Sequence, residues 1–126
     1  LSPAMGGIIV GYELGRLLKK KTIFSERVNG EFVLRRDFSI SKKQKVLIVE
    51  DVITTGKSSL ECSKIVTDNQ AEIIGYACII DRSNSNSMIK SKIISQVKLN
   101  IPTYSKENLP KSLLSLKAVK PGSRSL

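Results

Sequence analysis

Two adjacent carboxylates, Glu50 and Asp51, stand between the apolar run Val46-Leu47-Ile48-Val49 and the turn Thr54-Thr55-Gly56-Lys57-Ser58. Carboxylates accept hydrogen bonds from ligand hydroxyls. A glycine-bearing, hydroxyl-rich turn that opens a helix directs backbone N–H groups at an anion. The two together suit a ligand with sugar hydroxyls at one end and a phosphate at the other, a ribose 5-phosphate. Gly56-Lys57-Ser58 also ends as a nucleotide-binding P-loop does. That motif, however, needs glycine five residues before Gly56. Asp51 stands there, and a carboxylate would repel an enclosed polyphosphate. A plainer reading makes the acids a solvated strand end and the hydroxyls ordinary helix caps. The acid pair joined directly to the phosphate turn argues against it.

The apolar run, bounded by turn signals, reads as a buried strand over 45–49. In an α/β sheet its carboxyl end is where ligands bind. Residues 58–68 read as the helix that follows, with Leu60, Cys62, Ile65 and Val66 on one side. Upstream, 6–19 reads as a helix in which Ile8, Ile9, Tyr12, Leu17 and Leu18 recur near helical spacing. Its glycines, Gly6, Gly7, Gly11 and Gly15, permit close packing on a sheet. Thr22–Ser25 is a short strand. Val28-Asn29-Gly30-Glu31 carries the Asn-Gly hairpin signal and is expected to be a polar excursion outside the core, mobile in the empty protein. Residues 72–80 form a second buried strand ending at Asp81-Arg82, followed by a Ser/Asn-rich loop over 83–87. A weaker strand covers 92–99, with Ile93, Ile94 and Val97 as candidate buried residues. A short helix over 106–116 is interrupted by Pro110. Alternating strands and helices imply a parallel α/β sheet.

A chain of 126 residues supports one domain, 1–126. It carries 21 basic and 11 acidic residues, a net charge of +10. That balance suits nucleic-acid binding, but only six aromatics are present and no nucleic-acid motif appears. The lysines are scattered, so most of the charge reads as solvated surface, with a part that attracts an anionic substrate. No histidine is present, which excludes imidazole metal sites and Ser-His catalysis from this chain. No apolar run approaches the ~20 residues of a membrane span, and no segment has the pattern of a secretory leader. Cys62 and Cys78 read as buried thiols of a reducing cytoplasm.

Residues 46–58 resemble the phosphoribosyl-pyrophosphate signature of the type I phosphoribosyltransferases, and the Glu-Asp-Val-Ile-Thr-Thr-Gly version is similar to the orotate phosphoribosyltransferases. Pro3-Ala4-Met5-Gly6-Gly7 resembles their pyrophosphate loop, and Ile80-Asp81-Arg82 their orotate-side strand end. Ile101-Pro102-Thr103-Tyr104 and Lys120-Pro121-Gly122-Ser123-Arg124 resemble the tail of one bacterial branch. The likeness covers nearly the whole chain. It implies a parallel sheet flanked by helices, with the first strand and the hood elements over the base missing. The chain is accordingly expected to be the carboxyl-terminal portion of a longer protein, with its own carboxyl end complete.

The resemblance further implies transfer of a phosphoribosyl group from phosphoribosyl pyrophosphate to orotate, in pyrimidine (UMP) biosynthesis. Glu50 and Asp51 would hold the ribose hydroxyls, and their charge favours an oxocarbenium-like sugar. Val52, Ile53, Thr54, Thr55, Gly56, Lys57 and Ser58, with Met5 and Gly6, complete the phosphoribosyl-pyrophosphate site. Thr54 and Arg82 would contact orotate; arginine suits bidentate carboxylate recognition. Arg27, Arg35 and Arg36 stand where the family has a mobile basic loop over the pyrophosphate, although this chain departs from its lysine-rich form. Many members also carry lysine at the position of Gly6. Arg27 joins Glu50 and Asp51 as a catalytic candidate. The cofactor implied is Mg²⁺, held chiefly by substrate oxygens and water, with no direct protein metal site. The partner implied is a second copy, in a homodimer with shared sites. Rival readings are a phosphoribosyltransferase for another base, a nucleotide-sensing RNA regulator on the same fold, and a nonspecific nucleic-acid binder; fold alone does not separate them.

Overall fold

The structure, a computed structural model, describes residues 1–83, 87–117 and 119. Its elements in chain order are β1 (Ser2–Pro3), α1 (Gly7–Leu18), β2 (Phe24–Val28), β3 (Glu31–Leu34), β4 (Lys45–Ile53), α2 (Lys57–Asp68), β5 (Glu72–Asp81) and β6 (Ile93–Lys98). Two single-turn 3₁₀ helices, Lys106–Asn108 and Lys111–Leu113, lie on either side of Pro110. The expected interruption at Pro110 is thus present. The resemblance over 120–124 lies outside the described residues, as do positions 84–86 of the Ser/Asn-rich loop.

β4, β5 and β6 pair in parallel, as do β1 and β2, while β2 and β3 are antiparallel. Leu1 joins the two groups. Its amino group donates to the Leu47 carbonyl at 2.9 Å, and the Val49 amide donates to the Leu1 carbonyl at 2.9 Å. That alternation is the bond pattern of a parallel ladder. The strands therefore run in the order β3-β2-β1-β4-β5-β6. The strand expected to be missing ahead of the loop is represented by the two residues of β1. The crossovers β1-α1-β2 and β4-α2-β5 leave this pair of strands in opposite directions. Right-handed connections therefore put the two helices on opposite faces of the sheet. The crevice between β1 and β4 is a topological switch point, open at the carboxyl ends of both strands.

The core gathers Ile48, Ile53, Cys62, Val66, Tyr76, Cys78 and Ile89, with Ile23, Ile40 and Val46 beside them. Along β4 the apolar side chains fill both faces, as a parallel central strand requires. In α2 a repeat of Ser59, Cys62, Ser63 and Val66 is buried. In α1 the buried stripe is made of Gly7, Gly11 and Gly15. A Cβ at Gly11 would overlap the Ser2 hydroxyl, so the helix lies nearly backbone-to-backbone on β1. Its Ile9, Tyr12, Leu17 and Leu18 point outward and are exposed. No helix among the described residues is long and apolar enough to cross a membrane.

Three expectations are corrected. β4 runs through Ile53, so the acid pair belongs to the strand and does not lie past its end. Ile94 and Val97 are exposed: Ile94 lies on the face of β6 opposite the packed Ile93, and Val97, on the same face as Ile93, stands near the end of this last strand, beyond the core. The hairpin is not a polar excursion. β2 extends the sheet through β1, and Phe32, Leu34 and Phe38 pack against the core. Phe24 meets Phe38 edge-on at 5.1 Å between ring centroids. The Asn29-Gly30 turn is as expected, with φ of 50° and 89°, the left-handed pair of a two-residue hairpin.

Candidate active site

A cavity of about 750 Å³ opens at the switch point, within the ordinary range of small-molecule sites. The loop after β1 supplies Ala4, Met5 and Gly6. The end of β4 and the turn after it supply Glu50, Asp51, Val52 and Thr54 to Ser58. The hairpin supplies Arg27 and Phe32. Residues far apart in sequence meet because parallel strands deliver their carboxyl ends to one edge.

On a strand, neighbouring side chains diverge, and the acid pair obeys this. Glu50 accepts a hydrogen bond from the Ser59 hydroxyl of α2. Asp51 lies on the side of the β1 loop, and its Oδ1 accepts from the Val52 amide at 2.8 Å. Both still line the cavity, one on each side of the crevice. Gly6 comes so close that a Cβ there would stand 2.7 Å from the Asp51 carboxyl carbon. A glycine is thus what lets the loop lie against the carboxylate.

The phosphate turn owes its shape to Gly56, which has φ 80° and caps α2. This left-handed backbone strains any residue with a Cβ. The space is also closed, since a Cβ would meet Ile89 Cγ1 at 2.7 Å. The Met88 amide donates to the Thr55 carbonyl at 2.8 Å from the same side. The segment 87–89 therefore braces the outside of the turn, while the amino-terminal turn of α2, whose Lys57 amide donates to the Thr55 hydroxyl oxygen at 3.4 Å, brings the positive end of the helix dipole to the cavity lined by Gly56, Lys57 and Ser58. Thr54, Thr55 and Lys57 are exposed at its mouth.

Arg27 is the hairpin arginine that lines the cavity. It stacks over Phe32 at 4.1 Å and donates to Glu61 and to the Gly30 carbonyl. Arg36 is turned to Glu26, with bonds of 2.9 and 3.0 Å, and Arg35 is exposed; neither lines the cavity. Arg27 lines the cavity of its own chain, so its place there needs no second subunit. Ile53, assigned to the ligand with its neighbours, is instead 1% exposed, at the last residue of β4 and in the core cluster. Arg82 is likewise outside the cavity lining. Its amide donates to the Ile53 carbonyl at 2.8 Å, which places it at the same sheet edge, and its Nε is buried with no hydrogen-bond partner among the described residues.

Asp81, beside Arg82, is buried. Burial by itself would raise its carboxyl, but the Ser83 hydroxyl and amide and the Lys98 charge outweigh it and hold the group below the usual carboxylate range. Sequence reasoning missed Phe32, Ser59, Glu61 and Ile89. Ser59 and Glu61 lie on the helix that directly follows the signature, which was the available signal for a supporting role. Nothing local marked Phe32 or Ile89, whose parts depend on tertiary packing.

No three of the described His, Cys, Asp and Glu side chains gather as a metal cluster. The Glu50 and Asp51 oxygens are hard donors at the cavity wall, a set that fits Mg²⁺ when substrate oxygens and water complete the shell.

Residues 1–108 match the family model described as the phosphoribosyl transferase domain. The chain is 47% identical over 124 residues to the orotate phosphoribosyltransferase of Parvibaculum lavamentivorans, covering 98% of this chain and 64% of that protein. The curated relatives it matches at this level are longer, and the chain spans 64–65% of their length. Among solved structures it resembles an adenine phosphoribosyltransferase from Thermoanaerobacter pseudethanolicus, with TM-score 0.68 and 17% identity over 78% of this chain and 67% of that one. It also resembles the orotate phosphoribosyltransferase from Aeropyrum pernix, with TM-score 0.63 and 20% identity over 78% and 58%. At those identities the likeness establishes the fold and leaves the base open. The fold, the crevice at its switch point and the matched signature agree that this chain belongs to the phosphoribosyl transferase domain family.

Proposed function

We propose that this chain carries the phosphoribosyl-transfer site of an orotate phosphoribosyltransferase, which joins orotate to phosphoribosyl pyrophosphate and releases orotidine 5-phosphate and pyrophosphate, a step of pyrimidine biosynthesis. One observation carries the proposal: a single cavity collects the acid pair, the phosphate turn and Arg27. The 47%-identical relative that bears the orotate name supports the choice of base. The place of Arg82 at the same sheet edge, its amide bonded to the Ile53 carbonyl, supports it too, since a guanidinium suits an anionic base.

In this proposal the first turn of α2 binds the 5-phosphate and fixes the sugar. Glu50 and Asp51 accept the ribose hydroxyl hydrogens from opposite sides. A ring nitrogen of the base forms the new bond to the anomeric carbon, its proton passing to solvent, while the bond to the pyrophosphate oxygen breaks and its electron pair leaves with pyrophosphate. The carboxylates favour the positive charge that develops on the sugar, and Arg27 meets the growing charge on the leaving group. Mg²⁺ would be held chiefly by substrate oxygens and water, with Glu50 and Asp51 accepting hydrogen bonds from that water, and when bound it would neutralise pyrophosphate charge. We further propose a homodimer in a reducing cytoplasm, with sharing of sites through Arg35 and Arg36, the hairpin cations that lie outside their own cavity.

The test is transferase activity of the natural protein with phosphoribosyl pyrophosphate and each of orotate, adenine and hypoxanthine. Turnover with orotate and a severe loss in Asp51→Asn are expected. Equal use of a purine would overturn the orotate assignment, and wild-type turnover in Asp51→Asn would remove the ribose-hydroxyl role. For the dimer, Asp51→Asn mixed with an Arg35→Ala/Arg36→Ala variant should recover activity that each lacks alone. Confirmed mixed dimers without recovery would sink the shared-site idea.

A further inference from the structure

We infer that Glu61 is a positioning residue that sets the pose of Arg27 at the pyrophosphate end of the cavity; the inference rests on the phosphoribosyl-transfer reading above. Arg27 stands on an exposed hairpin, where a long side chain samples many rotamers. Its guanidinium nevertheless has three defined contacts: the Phe32 ring, the Gly30 carbonyl and the Glu61 carboxylate. Phe32 and Gly30 belong to the same hairpin and move with Arg27. Glu61 alone of the three ties the guanidinium to α2, four residues beyond Lys57.

The first turn of α2 is the wall that faces the phosphate. One rigid helix would therefore place both ends of the ligand: its amides at the 5-phosphate and, through Glu61, the cation at the leaving group. The pair is partly shielded, with the Glu61 side chain 28% and the Arg27 side chain 41% exposed. An ion pair in that setting adds little stability, but the planar guanidinium gives it direction. A guanidinium has five N–H donors, so donors remain for pyrophosphate while the Glu61 and Gly30 bonds persist. Positioning matters because displacement of a catalytic group by 1 Å costs on the order of a hundredfold in rate.

The experiment combines a spectroscopic and a kinetic readout on the natural protein. In ¹⁵N-labelled protein the Arg27 Nη–Hη signals, identified by their loss in Arg27→Lys, should be resolved in the wild type, averaged in Glu61→Ala and restored in Glu61→Gln, which keeps an acceptor oxygen in place. Glu61→Ala should lower kcat by about tenfold while the orotate KM stays within about twofold and melting is unchanged. Arg27→Ala/Glu61→Ala should be no slower than Arg27→Ala, because Glu61 acts through Arg27. Arg27 signals indifferent to Glu61→Ala would overturn the inference, as would additive losses in the double variant or a fully active Arg27→Ala. If the Arg27 signals respond as expected but the wild type transfers no phosphoribosyl group, the functional reading fails and the pairing of Glu61 with Arg27 stands.

Discussion

Replacing Gly6 with alanine separates the site's geometry from the protein's stability. Gly6 has φ −57° and ψ −43°, which alanine adopts without strain, and removing a glycine at a compatible position stabilises by about 0.4–1 kcal/mol through the unfolded chain. The new methyl, however, would stand 2.7 Å from the Asp51 carboxyl carbon. Carbon atoms rest at ~3.5–4.0 Å, so the carboxylate must retreat by roughly 0.8 Å or more. Twisting it off its rotamer costs about 0.5–1.5 kcal/mol, which offsets the glycine gain. The fold should therefore melt within about 4 °C of wild type. Catalysis should suffer far more, since misplacing a catalytic group by about 1 Å costs on the order of a hundredfold. Gly6→Ala is expected to lower kcat/KM for phosphoribosyl pyrophosphate by roughly ten- to a hundredfold, about 1.4–2.7 kcal/mol of barrier. Steady-state kinetics beside a thermal melt reads both quantities. In an Asp51→Asn background the same change should add little, because the group it displaces has already lost its charge. Wild-type kcat/KM in Gly6→Ala would refute the reasoning, showing that Asp51 need not stand where it does.

Gly56→Ala puts a Cβ at φ 80° and against Ile89, so it should destabilise by about 1–3 kcal/mol and lower the melting temperature; an unchanged melt would mean the turn is not built this way. Arg82→Ala should raise the orotate KM or lower kcat/KM for orotate, with a smaller effect on phosphoribosyl pyrophosphate binding; equal effects on both substrates would assign Arg82 to structure alone. Burial pushes the Cys62 thiol up to about 11, against the hydrogen bond with Ser25 at 3.2 Å and with Glu50 adding to the rise. Between pH 9 and 11 the unfolded thiol ionises while the folded one stays protonated. Stability should accordingly fall as pH rises through that window, by up to about 2–3 kcal/mol. Cys62→Ala should flatten that part of the denaturant-midpoint profile, and a slope identical to wild type would remove the thiol as its source.

The local order of the chain determined a good part of the result. An apolar run into Glu50-Asp51 and a glycine turn could be only a few things, and the covalent sequence places acids, amides and hydroxyls within one ligand's length whatever surrounds them. The Asn29-Gly30 turn and the break at Pro110 were equally legible, because each is fixed by backbone sterics inside four or five residues. What local order could not give was decided by packing. Glycines in α1 suggested close approach, but only the meeting with β1 turned the apolar Ile9 and Tyr12 outward. The hairpin looked polar from its charges, yet Phe32 and Leu34 find the core because β2 pairs with β1, a contact between segments about 20 residues apart. Arg27 was singled out of the three hairpin arginines by resemblance; the tertiary structure is what puts it, and neither Arg35 nor Arg36, at the cavity. The order β3-β2-β1-β4-β5-β6 brought the loop of Gly6 against Asp51, and Ile89 behind Gly56. Those two close contacts depend on strands paired across the sheet, and no local propensity encodes them.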